Sequence, residues 1–135
     1  MSKLMIDCAR NSLDMERIDL VLPVPLHSTK LRQRQFNQAK LLAEPLAKTF
    51  SKKLEHRVLV KIKGSAAQVN LSRRQRLKNI RGCFKVKHTH LLENKNILLV
   101  DDVLTTGATV GECTRALSKA GANRIEVLTL ARSIL

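Results

Sequence analysis

The 135-residue sequence predicts an α/β fold with a mainly parallel sheet flanked by helices. Three observations predict it. Asn96 to Val100 is a near-continuous apolar run, as expected of a parallel strand covered on both faces. Val110, Cys113, Ala116, Leu117 and Ala120 then fall on one helical face, with Gly121 placed as a C-terminal cap. Arg124 to Leu130 reads as a last strand, so strands and helices alternate.

Taken from the start of the chain, Ile18 to Val24 is apolar and ends in Pro23-Val24-Pro25, a buried strand running into a stiff loop. Ala39, Leu42, Ala43 and Leu46 have the spacing of a helix with one buried face, which Pro45 should kink or shorten. Arg57 to Ile62 is rich in β-branched residues and reads as a second strand. Lys63 to Gln68 holds Gly64 and small residues and reads as a loop. Leu71 to Ile80 is polar, basic and weakly helical. The length suits a single domain over residues 1–135.

Composition bounds the function. Apolar residues make up 44%, which excludes a disordered tail. No apolar run approaches the roughly 20 residues that span a bilayer, so membrane insertion is not expected. Met1 to Met15 is charged throughout and has no apolar core of a signal peptide. The net charge is +14, from 25 Lys and Arg against 11 Asp and Glu. A globular domain this basic points to an anionic partner: a phosphorylated small molecule, nucleic acid or anionic lipid. With only Phe36, Phe50 and Phe84, it lacks an aromatic platform for stacking bases, but basic tracking of a phosphate backbone stays open. Cys8, Cys83 and Cys113 are odd in number and form no CxxC pair, which argues against a disulfide framework or a structural zinc. Reduced, mostly buried thiols in a cytoplasmic protein are the expectation. His27, His56, His88 and His90 show no metal spacing; His27 stands apart, beside the loop after Pro23.

The segment from Asn96 to Thr109 carries the chemistry. A buried strand ends, Asp101-Asp102-Val-Leu-Thr-Thr-Gly107 makes a polar loop, and a helix begins. Free amides and the positive helix end at such a junction suit a phosphate. Thr105, Thr106 and Thr109 add hydroxyl donors, and Gly107 lets the backbone approach a ligand closely. A carboxylate beside a phosphate is repulsive unless it accepts hydrogen bonds or meets a metal. Ribose hydroxyls beside a 5′-phosphate supply those donors, so Asp101 and Asp102 suggest a sugar phosphate rather than a bare anion. A Walker loop is excluded because no Gly-Lys-Ser/Thr follows.

Val100 to Thr109 resembles the signature of type I phosphoribosyltransferases that binds phosphoribosyl pyrophosphate (PRPP). Val21-Leu-Pro-Val-Pro-Leu-His27, Arg34-Gln-Phe-Asn-Gln38, Gln68-Val-Asn-Leu-Ser72, Arg76-Leu-Lys-Asn79 and Gly82-Cys-Phe84 resemble the ComF family of competence-associated phosphoribosyltransferases. The resemblance implies a type I phosphoribosyltransferase-like fold with a small flexible hood. It implies that Asp101 and Asp102 hold the ribose as catalytic residues and that Thr105, Thr106, Gly107, Ala108 and Thr109 clamp the 5′-phosphate. Pyrophosphate would lie near the loop after Pro23, with Arg34, Arg73, Arg74 and Arg76 as pyrophosphate and hood candidates. Mg²⁺ would be bound mainly through PRPP, without a dedicated protein metal site. Two departures matter. The family has Gly where this chain has Gln35, and many members carry an N-terminal four-cysteine zinc ribbon that this chain lacks, so it reads as a short or truncated member.

Two function classes result. One is a phosphoribosyltransferase linked to DNA uptake, moving phosphoribosyl to an unidentified acceptor with release of pyrophosphate. The other is a non-catalytic accessory module that binds PRPP and single-stranded DNA. The partners expected are PRPP, single-stranded DNA or competence DNA-uptake proteins, and a second copy of the chain. A Mg²⁺ nuclease using Asp101 and Asp102 is a weaker third reading, since adjacent strand residues point apart and no third carboxylate lies nearby.

Overall fold

The computed structural model of the chain describes residues 2–27, 31–33, 35–63, 72–104 and 107–132. Its main sheet has four strands: β1 (Leu20–Pro23), β2 (Lys53–Leu54), β5 (Asn96–Leu104) and β6 (Arg124–Arg132). Their order is β2-β1-β5-β6, and every neighbouring pair is parallel. A separate two-stranded antiparallel sheet joins β3 (Leu59–Lys61) to β4 (Phe84–Val86). The strand read at Arg57 to Ile62 therefore exists but lies outside the parallel sheet.

Alternation along β5 divides the core. Leu98 and Val100 face α1 (Ser2–Ser12) and α2 (Gln38–Thr49), packing with Met5, Ala9, Leu42 and Leu46. Ile97 and Leu99 face α4 (Ala108–Lys119), packing with Cys113 and Leu117 and with Leu59 and Phe84 of the small sheet. Burial on both faces is why this strand reads as one unbroken apolar run. Helix α4 is capped at Ala120, and Gly121 takes φ 103°, the left-handed conformation expected of it after the helix.

Of three local expectations, the first changes and the other two hold. Helix α2 continues past Pro45 to Thr49, because Leu46 and Ala47 beyond it are buried, which offsets the lost backbone bond. The basic stretch after Leu71 forms α3 (Arg73–Ile80), started by a reciprocal capping box between Ser72 and Gln75. Two of the cysteines, Cys83 and Cys113, are buried, but Cys8 is exposed.

The strand order places the candidate site. From β1 the chain passes through α2 to β2 on one side; from β5 it passes through α4 to β6 on the other. The direction of winding reverses between β1 and β5, and at such a point the loops beyond the carboxyl ends of the two strands diverge and leave a crevice. The Val24 amide donates to the Val100 carbonyl at 2.8 Å, which carries the pairing up to its rim. Asn37 fixes the start of α2 there: its Nδ2 donates to the Val24 carbonyl at 3.1 Å, and its Oδ1 accepts from the Ala39 amide at 3.0 Å.

Glu112 ties α3 to α4. Among the described residues it is the one buried charged side chain, and its Oε1 accepts from the Gly82 amide at 3.0 Å. Arg115 grips it with Nη2 at 2.7 Å from Oε1 and Nε at 3.1 Å from Oε2. The Arg115 guanidinium, with the Gly82 amide, holds the Glu112 carboxyl below its ordinary range despite burial.

Two predictions come from these contacts. Gln35 sits at φ 63°, the conformation a glycine adopts without steric cost. Gln35→Gly should leave stability unchanged or raise it by up to about 1 kcal/mol in urea unfolding, where an exposed Gln→Gly in ordinary backbone costs about that much. A clear loss would mean the turn is unstrained. Because the folded Glu112 carboxyl is the stronger acid, its contribution is present above the ordinary glutamate range and fades as pH falls through the lower folded value. Glu112→Ala should therefore lower the unfolding midpoint at pH 7, and the gap to the parent chain should narrow as the pH is taken below 4.5; a pH-independent gap would contradict the charged tie.

Candidate functional site: the crevice between the first and fifth strands

The two carboxylates lie on the strand rather than in the loop assigned to them from sequence. Strand β5 runs four residues past Val100, because β6 keeps pace beside it, pairing Asp101 with Thr129 and Leu104 with Arg132. Strand alternation then sends Asp101 and Asp102 to opposite faces. Asp101 follows Leu99 toward α4, and its charge helps raise the pKa of the buried Cys113 thiol, after burial itself. Asp102 lines a recess of about 390 Å³ with Phe36, Gln38 and Leu130 on the α2 side.

Each carboxylate is braced by the next amide. Asp101 Oδ1 accepts from the Asp102 amide at 2.9 Å, and Asp102 Oδ1 accepts from the Val103 amide at 2.8 Å. These bonds hold one oxygen of each carboxylate against the backbone. Burial, and then the neighbouring Asp102, raise the Asp101 pKa from 3.8 to about 7. A carboxylate held near neutrality in a crevice is a functional-site signal with a physical cause.

Gly107 takes φ 81°, and helix α4 begins at Ala108, which is buried, with Thr109 half-buried in the first turn. The first-turn amides of a helix lack partners further back in the same helix and point outward from this end. Thr105 and Thr106 lie outside the described residues, as does Arg34.

The three arginines of α3 do not converge. Arg73 is exposed at the first turn. Arg74 and Arg76 are two residues apart and so point about 200° apart around the helix. Arg74 faces α4 across a recess that Arg115 also lines. Arg76 is half-buried on the other flank, and its Nε, with Asn79 Nδ2, is shielded from solvent without an acceptor among the described residues. The loop from Lys63 to Arg76, read as the hood, lies outside the described residues between 64 and 71.

Two features were not read from sequence. One is the bracing role of Asn37, which the Asn-Gln pair before an apolar helical pattern could have signalled as a cap. The other is a cavity of about 570 Å³ beneath the loop after β1, lined by Leu26, Leu31, Phe36, Leu41, Leu59 and Lys61 among others. Phe36 borders both this cavity and the recess at Asp102. Among the described residues, no group of three or more His, Cys, Asp or Glu gathers in a way that could hold a metal ion, and no helix is long and apolar enough to cross a membrane.

Comparison with known proteins gives this geometry a lineage. The phosphoribosyl transferase domain matches residues 38–134. The DNA utilization protein YhgH of Salmonella typhimurium is 32% identical over 126 residues, covering 93% of this chain and 55% of the relative. Competence protein ComFC of Bacillus subtilis is 33% identical over 115 residues, covering 84% of this chain and 45% of the relative. The chain thus spans about half the length of these relatives. Among solved structures, the purine phosphoribosyltransferase of Pyrococcus horikoshii superposes with a TM-score of 0.60 at 17% identity, over 98% of this chain and 77% of that one, a likeness of fold. Over most of its length, and with competence proteins among its relatives, the chain belongs to the phosphoribosyl transferase domain family.

Proposed function

We propose that the chain binds PRPP at the crevice between β1 and β5 and transfers its phosphoribosyl group to an acceptor, releasing pyrophosphate. One observation carries this reading: the winding reversal brings the braced carboxylates Asp101 and Asp102, the Gly107 turn and the loop after Pro23 to one rim of the sheet. Ribose hydroxyls would donate to Asp101 and Asp102. The 5′-phosphate would sit on the turn from Thr105 to Thr109, against the start of α4.

In the transfer, the bond from ribose C1′ to the pyrophosphate oxygen breaks and a bond from C1′ to the acceptor forms. The electron pair leaves with pyrophosphate. The sugar passes through an oxocarbenium-like state, so the protein's work is positioning and charge compensation. Arg34 and Arg76 are the cations proposed for pyrophosphate, and the buried Arg76 Nε supports an anionic oxygen as its acceptor. Asp101 and Asp102 point to opposite faces and form no cage of their own, so a Mg²⁺ would be held mainly by PRPP oxygens and water. Bound in that way, the ion would neutralise leaving-group charge. The apolar cavity under Phe36 is a reasonable home for a flat acceptor.

A second reading is favoured by the +14 charge and by relatives named for DNA utilization and competence: a PRPP-binding module that serves DNA handling without turnover. Both readings take residues 1–135 as one domain working in the cytoplasm, with a homodimer allowed.

Asp101→Ala combined with Asp102→Ala should weaken PRPP binding by about an order of magnitude or more in calorimetry with Mg²⁺, since the ribose donors lose their acceptors. Unchanged affinity would remove the site. Pyrophosphate release over a panel of acceptors separates enzyme from module. Stability should move the opposite way. A folded Asp101 pKa of about 7 against 3.8 means its contribution is intact below pH 3.8 and is lost as pH rises toward and through 7. Asp101→Asn should therefore melt a few degrees higher than the parent at pH 8 and lose that advantage near pH 4. An equal shift at both pH values would mean the carboxyl is not strained by burial.

A further inference from the structure

Helix α3 and the first half of α4 enclose a recess of about 550 Å³ on the flank of the molecule. Arg74, Lys78 and Arg81 line it from one side and Arg115 from the other. Glu112 is the one acid in this lining, and it is already engaged by the Gly82 amide and Arg115. Residues 73–81 carry five cations and no acid.

This arrangement opposes helix stability. Cations at i, i+4 and i+7 share one face about a turn apart and repel one another. The first turn of α3 has no acidic residue, and Arg73 and Arg74 set positive charge against the positive end of the helix. The helix is held by its capping box and by the Glu112 tie. A face kept against such repulsion is compensated when a polyanion lies on it.

The recess also constrains what that polyanion is. Leu77, 46% exposed, lies among the cations, with Ala108 and Gly111 on the opposite wall. Apolar surface enclosed by charges fits a ligand in which phosphates alternate with flat apolar groups open to contact. A single strand offers its bases in this way, whereas a duplex stacks them inside. An anionic membrane needs a protruding apolar face rather than a concave one. Repeated cations also exceed what one phosphate needs, and with no Trp or Tyr in the chain the contact rests on phosphates and apolar surface rather than on aromatic stacking.

We propose that single-stranded nucleic acid docks in the recess between α3 and α4, its phosphates on Arg74, Lys78, Arg81 and Arg115 and its bases against Leu77. This places the nucleic-acid partner of the second reading on a surface separate from the ribose-phosphate turn. The two share α4 but no proposed contact residue except Ala108.

The test is fluorescence anisotropy of a labelled oligo-dT with the full chain, alongside calorimetry with PRPP. Lys78→Glu with Arg81→Glu should weaken oligonucleotide binding at least tenfold and leave PRPP affinity unchanged. Lys3→Glu with Lys48→Glu, an equal change in net charge on exposed positions of α1 and α2, should leave oligonucleotide affinity within about twofold of the parent. If α3 fails to fold with two acids, Lys78→Gln with Arg81→Gln reads the same contact: the log-log salt slope should become shallower by about 1.4, at roughly 0.7 per phosphate. The proposal is overturned if both charge-reversed pairs weaken binding equally, if the slope does not move, or if a labelled duplex binds as tightly with the same sensitivity. Binding confined to vesicles of phosphatidylserine would overturn it as well. Loss of PRPP binding in the parent chain with the oligonucleotide result intact would sink the ribose-phosphate reading and leave this one standing.

Discussion

The site depends on a reversal of direction between two neighbouring parallel strands. Strands β1 and β5 are hydrogen-bonded to each other along Leu20 to Pro23 and Ile97 to Val100, yet their following helices depart to opposite sides of the sheet. Had both chains turned the same way, one connection would lie across the other's exit. Because they diverge, the chain just after Pro23 and the start of α4 at Gly107 border a shared opening. Asn37 and the Val24–Val100 bond hold that opening in shape from the α2 side. Gly107 shapes it from the α4 side.

A crevice of this kind gathers groups that would be unfavourable elsewhere. Asp101 is pressed toward the buried Cys113 and stands next to a second carboxylate. Backbone amides compensate part of that cost, and the remainder shows as a proton held more tightly than usual. Gln35, on the loop that leads into α2, adopts a backbone conformation that disfavours side chains. Strain concentrated at the rim, with a well-packed sheet beneath, is the pattern of a fold that spends stability on a binding site.

How much was legible follows from how each element is stabilised. Strand β5, helix α4 and Gly121 were readable because burial on both sheet faces and on one helix face leaves a direct mark on residue type. The carboxylates were assigned to a loop because polar residues after an apolar run look like its end; the ladder with β6 that carries Asp101 and Asp102 as strand is a tertiary fact. Helix α1 was missed because only Met5 and Ala9 of its residues are buried in a charged segment. Strand β2 is two residues long and β4 three, below any periodic signal. Gln35 is the instructive case. At φ 63° it holds a backbone shape that glycine takes without steric cost, so a side chain at this point marks local strain that residue type alone does not reveal.

The separation of the α3 arginines has a wider consequence. Read along the sequence, Arg73, Arg74 and Arg76 look like one basic cluster able to close on pyrophosphate. On the helix, Arg76 turns inward beside Asn79 while Arg74 turns outward toward Lys78 and Arg81. One short element therefore presents different chemistry on its two flanks: donors awaiting an acceptor on one, a cationic trough on the other. Glu112 sets this orientation by gripping Gly82 just after the helix, where a positive φ lets the chain turn back toward α4. Rotating α3 by about half a turn would exchange the flanks. The buried acid on α4, which belongs to neither surface's ligand chemistry, is what keeps them apart.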